Sequence, residues 1–435
     1  MRILACLVVF SLRGASAFDK LGKPDDEPCS FAETAAGAVL IPSAHALQQC
    51  NHKVWSGYYQ RTLDMAARPP IKIWELRTLQ SGHFIFPSHP LGPRNMMWQI
   101  HLWTKNVTTS SLNKHFFSEF PTTSQPINCG LTISKPVTLY RAFAPRYFQY
   151  GHVITDLLPM VFWIYTTMDT STIAVETDSK GKIPQFLQWF DSKLHERIVY
   201  VPADTIVCTE SKVTVLNPKS WVVRPELLRL SALVAHVRQH VTQKVASGTV
   251  DRVIAYERLE GTTTTGRLLD KSQFRRLVDL AKDALRAAQR PPDSIVLYNG
   301  KDGDKPMSFE QQYRLFSSAY LVFGPHGAGM GNVLWMQSAD CTARPAVIEF
   351  ICSTDTRSVT GCYVTNGLKK LNRIMSFWRL LAGAPWVRYF HVWMLHHDDH
   401  ESNVASVDEV GFNISLYAAL RGAGPQMRRL RGLRV

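Results

Sequence analysis

The sequence predicts an α/β protein built from two successive halves. Three observations carry that expectation. Strand-length apolar runs alternate with helical runs between residues 136 and 201. The same alternation restarts at residue 252 and continues to residue 351. A polar gap, Ala246-Ser247-Gly248, lies between the two stretches. A strand–helix–strand rhythm implies a parallel sheet with helices packed on it. A chain of 435 residues exceeds one ordinary domain and suits two.

Taken in order, the elements read as follows. Residues 18–67 are irregular, and residues 71–134 alternate short aromatic or apolar runs with Pro and Gly, a strand-rich pattern. Residues 136–142 read as a strand, and a helix follows from Leu157 to about Met168. Pro159 fits only the first turn of a helix, so the helix starts within about four residues before it. Ile173-Ala174-Val175 is a strand, 184–194 a helix and 198–201 a strand. Residues 225–245 carry a helical apolar stripe, with Pro225 suited to the first turn. After the gap come a strand at 252–256, a polar loop, and an amphipathic helix at 271–289 with Ser272 near its start. A strand at 294–298, a helix at 308–319 and a strand at 320–323 follow. A helix at 328–336, a strand at 346–351 and a last helix at 407–420 complete the pattern. Two successive Rossmann-like halves predict a site in the cleft that they face, beyond the carboxyl ends of the strands.

Composition narrows the function classes. Hydrophobic residues make up 45% and charged residues 19%, which is globular rather than disordered. Residues 1–17 combine Arg2, an apolar run from Ile3 to Leu12, and Ala15-Ser16-Ala17, the form of a signal peptide cut before Phe18; a retained signal anchor is the alternative. No later segment reaches 18 uncharged apolar residues, so no stable membrane span is expected. Asn106-Val107-Thr108 and Asn413-Ile414-Ser415 fit N-glycosylation. These features predict the lumen of the endoplasmic reticulum or Golgi, or secretion. Of eight cysteines, Cys6 leaves with the signal. Cys29, Cys50, Cys129, Cys208, Cys341, Cys352 and Cys362 match no zinc spacing, and disulfides suit the compartment. The local pairs would be Cys29 with Cys50, and Cys352 with Cys362 or Cys341. The formal charge of +14 favours anionic partners, but the basic residues are dispersed apart from the tail Arg428, Arg429, Arg431 and Arg434. No nucleic-acid-binding motif is present, and no nucleic acid partner is expected.

One stretch stands out: Val322-Phe323-Gly324-Pro325-His326-Gly327-Ala328-Gly329-Met330-Gly331-Asn332. It places glycines at a strand-to-helix turn, where backbone N–H groups can approach a diphosphate and the helix N-terminus favours negative charge. The alternative is a tight packing turn. The glycine spacing is not the dinucleotide fingerprint, and no Lys-Ser/Thr follows as in a P-loop. Arg258 follows a strand and Arg267 lies in the same loop; both suit phosphate, or both are solvated. Glu349, in the next strand, suits ribose hydroxyls, or is a surface or helix-capping acid. In Tyr150-Gly151-His152-Val153-Ile154-Thr155-Asp156-Leu157-Leu158-Pro159, Asp156 is either a helix N-cap or a general base, with His152 beside it. His396-His397-Asp398-Asp399-His400 reads as a polar loop or, less simply, as metal ligands; no metal site is expected. No Gly-x-Ser-x-Gly elbow is present, which sets aside a serine hydrolase.

These stretches, in this order, resemble glycosyltransferase family 61. The resemblance rests on Gly151-His152 through Pro159, on Arg258 with Gly266-Arg267-Leu268-Leu269-Asp270, and on Ser308-Phe309-Glu310-Gln311-Gln312. Its remaining pieces are Gly324 to Asn332 and Val347-Ile348-Glu349. Asp270 stands where the family usually has Asn, and Met330-Gly331 replaces its common Leu-Thr. The resemblance implies a GT-B fold, a UDP-sugar donor, a glycan or glycoprotein acceptor, inversion at the anomeric carbon and no required cofactor. It implies Asp156 as base with His152 as rival or orienting partner. Donor contacts would come from Arg258, Arg267, Gln311, His326, Gly327, Ala328, Gly329, Asn332 and Glu349. The expected division is a signal at 1–17 and an acceptor-side α/β domain with an irregular extension at 18–246. A nucleotide-sugar-binding α/β domain at 247–390 and a C-terminal helix with basic tail at 391–435 complete it. A catalytically inactive glycan- or nucleotide-binding protein on the same scaffold is the alternative.

Overall fold

The structure, a computed structural model, describes residues 74–79, 82–87, 100–104, 117–119, 128–140, 153–168, 172–177, 182–218, 249–258, 268–337, 345–352, 387–396 and 404–421. They fall into two compact units, Asp64–Lys244 and one that contains Val245–Val435. Both are mixed α/β with parallel sheets.

Among its described residues the unit Asp64–Lys244 holds ten strands: β1 (Trp74–Leu79), β2 (Gly82–Ile85), β3 (Ile100–Thr104), β4 (Phe117–Glu119), β5 (Leu131–Ile133), β6 (Val137–Tyr140), β7 (Thr172–Glu176), β8 (Ile198–Val201), β9 (Val207–Thr209) and β10 (Val213–Pro218). One sheet runs β1-β10-β6-β7-β8, with β10, β6, β7 and β8 parallel and β1 antiparallel at the edge. A second sheet runs β4-β3-β2-β9-β5. Phe84, Phe86 and Leu102 share one core with Val137, Leu139 and Val215 from the first sheet. The apolar side chains that alternate along the short strands thus bury against the parallel sheet. The segment expected as one helix at 184–194 is two helices, Lys182–Phe190 and Ser192–Glu196. Asp191 makes the break: its side chain accepts from the N–H groups of Lys193 and Leu194, an N-cap that starts a new helix. Cys129 and Cys208 form a disulfide, a pair that spacing alone did not single out.

The second unit holds β11 (Arg252–Tyr256), β12 (Leu268–Leu269), β13 (Ile295–Tyr298), the small hairpin β14 (Lys301–Asp302) and β15 (Lys305–Pro306), β16 (Ala319–Pro325), β17 (Ala346–Cys352), β18 (Arg388–His396) and β19 (Val404–Val407). The main sheet runs β12-β19-β18-β17-β16-β11-β13. β13, β11, β16, β17 and β18 are mutually parallel, and β19 turns back antiparallel to β18. Helix Lys271–Ala287 buries Phe274, Leu277 and Leu285, and helix Glu409–Arg421 buries Phe412, Leu416 and Leu420, into the same core as Phe323 and Phe350. Asp270 caps the first of these helices by accepting from the Gln273 N–H. Residues 391–435, set apart in the sequence as a helix and tail, in fact supply β19 and most of β18 to this sheet. The alternation of His391, Val392, Trp393 and Met394 carries the strand pattern that the neighbouring helix signal obscured.

Several expectations lie outside the described residues: the helix at 225–245, the signal, the sequon at Asn106, the histidines 397 and 400, and the pairings of Cys29, Cys50, Cys341, Cys352 and Cys362. The sequon at Asn413 lies inside helix Glu409–Arg421, with Ser415 fully buried. Among the described residues no helix is long and apolar enough to cross a membrane.

Candidate functional site

The strand order of the second unit fixes where its site lies. From β11 the chain adds β13 on one side, then crosses to place β16, β17 and β18 on the other. The order reverses between β11 and β16. At such a switch point the connections leave in opposite directions, and a crevice opens beyond the carboxyl ends of the two strands. β11 runs into Glu257 and Arg258 there, and β16 runs into Gly324, Pro325, His326 and Gly327. The turn leads into a 3₁₀ helix, Ala328–Trp335, where a helix was expected.

The glycines answer to neighbours on β11 and β13. Gly324 has φ +155°, and a Cβ there would lie 2.6 Å from the Tyr256 carbonyl oxygen and 2.7 Å from its Cβ. A Cβ on Gly327 would lie 2.7 Å from both Arg258 Nη1 and the Tyr256 hydroxyl. One on Gly329 would lie 3.0 Å from the rings of Tyr256 and Tyr298. The packing-turn alternative therefore describes these three positions. What the turn presents outward is backbone: Ala328 is exposed and Gly329 half-exposed. Met330 N–H donates to the Gly327 carbonyl, and His326 N–H donates to Phe350. The N–H groups of Ala328 and Gly329, at the start of the helix, have no acceptor within it.

Beneath the turn lies a buried polar frame. His326 Nδ1 sits 2.6 Å from Glu349 Oε1, and the Glu349 side chain is wholly enclosed. Tyr298 donates its hydroxyl to Gln312 Oε1 at 2.6 Å. Asn332 Nδ2 reaches Gln312 Oε1 at 2.9 Å, the Gly329 carbonyl at 3.1 Å and the Tyr298 hydroxyl oxygen at 3.2 Å. Gln312 Nε2 donates onward to the Met307 carbonyl. Burial pushes the Tyr298 hydroxyl well above the usual phenol range, so it stays protonated and donates. Arg258 Nη1 donates to the His326 carbonyl at 2.6 Å, which fixes its guanidinium at the mouth of the turn. Buried polar groups so paired hold a single geometry.

This arrangement brings together Arg258, His326, Gly327, Ala328, Gly329, Asn332 and Glu349. Glu349 and Asn332 are fully buried and bonded internally, where they support the turn. Gln311 is exposed but committed: it accepts from the Ser308 N–H at 2.7 Å, completes a capping box with Ser308, and donates to Asp302. It caps the helix. Arg267 and His152 lie outside the described residues. Asp156 lies on a π-helical turn, Val153–Leu157, that runs directly into helix Leu158–Thr167. The N-cap position of that helix is Leu157. Single π turns within helices are frequent at functional sites. The helix connects parallel β6 to β7, which sets its start at the carboxyl edge of that sheet.

Tyr256, Tyr298 and Gln312 were not singled out in the sequence. Tyr256 and Tyr298 are the last residues of adjacent parallel strands and stand opposite each other in register. Two strands ending alike in Tyr, next to a glycine turn, were the available signal. Among the described residues, one cluster has metal-ligand composition: His83, Cys129 and Cys208 of the first unit, two of which are joined as the disulfide.

Residues 150–342 match the family model described as Glycosyltransferase 61. The span contains every expected site residue except Glu349. No curated protein matches the chain.

Proposed function

We propose that this chain, whose residues 150–342 match the Glycosyltransferase 61 family model, is an inverting transferase that moves a sugar from a UDP-sugar to a hydroxyl of a protein, a protein-linked glycan or a polysaccharide. GlcNAc, xylose and arabinose are the candidate sugars. One observation carries the reading: Arg258 and the Ala328–Gly329 backbone converge at the switch point of a parallel sheet. A guanidinium and helix-start N–H groups are suited to a diphosphate. In the proposed reaction the acceptor oxygen attacks the anomeric carbon as the bond to UDP breaks. Asp156 takes the hydroxyl proton, and Arg258 with the turn's N–H groups meets the charge that builds on the leaving diphosphate. No cofactor is part of this scheme. The two α/β units would act as the acceptor and donor halves of a GT-B transferase, in the lumen of the secretory pathway.

The primary test is thermal-shift binding of the purified chain to UDP, GDP, ADP and CMP, with and without EDTA. A ligand that binds only the folded state raises the melting temperature. A UDP shift that survives EDTA, followed by UDP-sugar hydrolysis, is the expected result. No shift with any nucleotide at millimolar concentration would remove the donor site. Asp156→Asn should lower turnover by at least about a hundredfold and leave UDP affinity unchanged. A second reading, a non-catalytic binding protein on this scaffold, draws on the internal commitment of Gln311, Asn332 and Glu349. It predicts the UDP shift without turnover of any UDP-sugar.

A further inference from the structure

The Cys129–Cys208 bridge lies in the other unit and plays no part in the donor site. Its two sulfurs are unlike. Cys129 is exposed, just ahead of β5, and Cys208 is buried in β9 with 8% of its surface accessible. His83 stands directly opposite Cys208 in the antiparallel β2–β9 pair, so the two side chains lie on one face of the sheet. A ring nitrogen of His83 and both sulfurs lie within 4.8 Å of one another.

The bridge is also not needed to hold its own ends together. Cys208 pairs with Thr132 in the parallel β5–β9 ladder, and the N–H groups of Gly130 and Leu131 both donate to the Ile206 carbonyl. On the other side Thr209 Oγ1 accepts from the Gly82 N–H and donates to the Gly82 carbonyl, which clamps β9 to β2. A reduced pair on this scaffold would remain in place, ready to close again.

We propose that Cys129, Cys208 and His83 form a reversible thiol–disulfide exchange site, with His83 as the acid–base partner of Cys208. The co-reactant is a dithiol able to close into a cyclic disulfide. Its thiolate attacks the accessible sulfur of Cys129 and forms a mixed disulfide. The Cys129–Cys208 bond breaks, and its electron pair leaves on Cys208 as a thiolate stabilised by the adjacent imidazolium, or protonated by it. The second thiol of the dithiol then attacks its own sulfur in the mixed disulfide, which releases Cys129. The dithiol is oxidised to its disulfide, and the protein gains two electrons and two protons as two thiols. An imidazole beside a cysteine lowers the thiol pKa, and a lower leaving-thiol pKa speeds exchange. Thiol–disulfide exchange at an accessible sulfur with a stabilised leaving group needs no unfolding.

The test uses the full chain with its native bridges, incubated with dithiothreitol, quenched over time with N-ethylmaleimide and mapped peptide by peptide. Tryptophan fluorescence reports whether the fold persists. Cys129 and Cys208 should become labelled together while the fold is retained, and reoxidation should restore the bridge. His83→Gln should slow reduction roughly tenfold, the effect of raising the leaving-thiol pKa by about two units at a Brønsted sensitivity of about 0.5. With wild type and the monothiol glutathione, the trapped mixed disulfide should sit on Cys129. This arm does not depend on the folding of any variant. A bridge that yields only after unfolding in urea, glutathione trapped on Cys208, or an unchanged rate in folded His83→Gln would each overturn the proposal.

Discussion

Two glycines three residues apart should respond to alanine in opposite ways. At Gly324 the added Cβ would sit 2.6 Å from the Tyr256 carbonyl oxygen and 2.7 Å from Tyr256 Cβ, and φ is +155°. The carbonyl belongs to β11, which is hydrogen-bonded to β16, so it has nowhere to move. Overpacking of about 1–3 kcal/mol and backbone strain of about 1–3 kcal/mol combine to a loss near 3 kcal/mol. For a unit of this size that lowers the melting temperature by roughly 6–12 °C. At Gly327 the backbone is extended, and the new Cβ meets only side-chain ends, Arg258 Nη1 and the Tyr256 hydroxyl, at 2.7 Å. Those ends can swing aside, so stability should change by no more than about 1 kcal/mol. The movement takes Arg258 off the His326 carbonyl, and UDP affinity should fall about tenfold, or ~1.4 kcal/mol. Gly303→Ala is the control: φ is +60° and no atom lies within 4 Å of the new Cβ, so only the conformational cost of about 1–2 kcal/mol remains. Calorimetric melting and UDP titration of the three variants decide the matter. If Gly324→Ala costs no more than Gly303→Ala, or if Gly327→Ala binds UDP like wild type, the reasoning fails.

Glu349→Leu should cost about 1–3 kcal/mol in urea unfolding, because it removes the acceptor at His326 Nδ1 in a buried site; His326→Phe with Glu349→Leu should recover part of that loss. Alkali offers a separate check. Burial raises the Tyr298 pKa above its unfolded value near 10, so the folded state holds its proton where the unfolded state releases it. That contribution is fully present below pH about 10 and should be lost above it at about 1.4 kcal/mol per pH unit; Tyr298→Phe should flatten the slope. Gln311→Ala should cost about 1 kcal/mol as a lost capping box and leave UDP affinity unchanged. A fall in affinity without a fall in stability would return Gln311 to the donor site.

Local features carried much of the fold into the sequence. Apolar runs located β6, β7, β8, β11, β13, β16 and β17 to within a few residues, and the strand-to-helix glycine turn was visible as a motif. The break at Asp191 was missed because the apolar pattern runs through it; only the carboxylate's bonds to Lys193 and Leu194 reveal it. Strand order was not legible at all. That β11 lies between β13 and β16 depends on long-range pairing, and it is this order that makes the ends of β11 and β16 a switch point. Nor could spacing join Cys129 to Cys208 across a separation of 79 residues, since β5 and β9 become neighbours only in the folded sheet.

The same distinction applies to the donor-site candidates. His326, Asn332, Glu349 and Gln311 have the chemistry of ligand contacts, and a sequence gives chemistry without direction. In the structure His326, Asn332 and Glu349 bond within a buried frame, Gln311 bonds to Ser308 and Asp302 at the surface, and the glycines make room for Tyr256, Tyr298 and Arg258. The motif therefore acts one step removed: it packs a rigid frame that leaves two backbone N–H groups and one guanidinium at the crevice. Such groups recognise a diphosphate by charge and hydrogen-bond direction. They make no contact that separates uracil from guanine, or one sugar from another. Choice of base and sugar must then come from side chains outside Gly324–Trp335, so substitutions within this turn should weaken UDP, GDP and ADP binding alike, while substitutions that change preference should fall elsewhere in the chain.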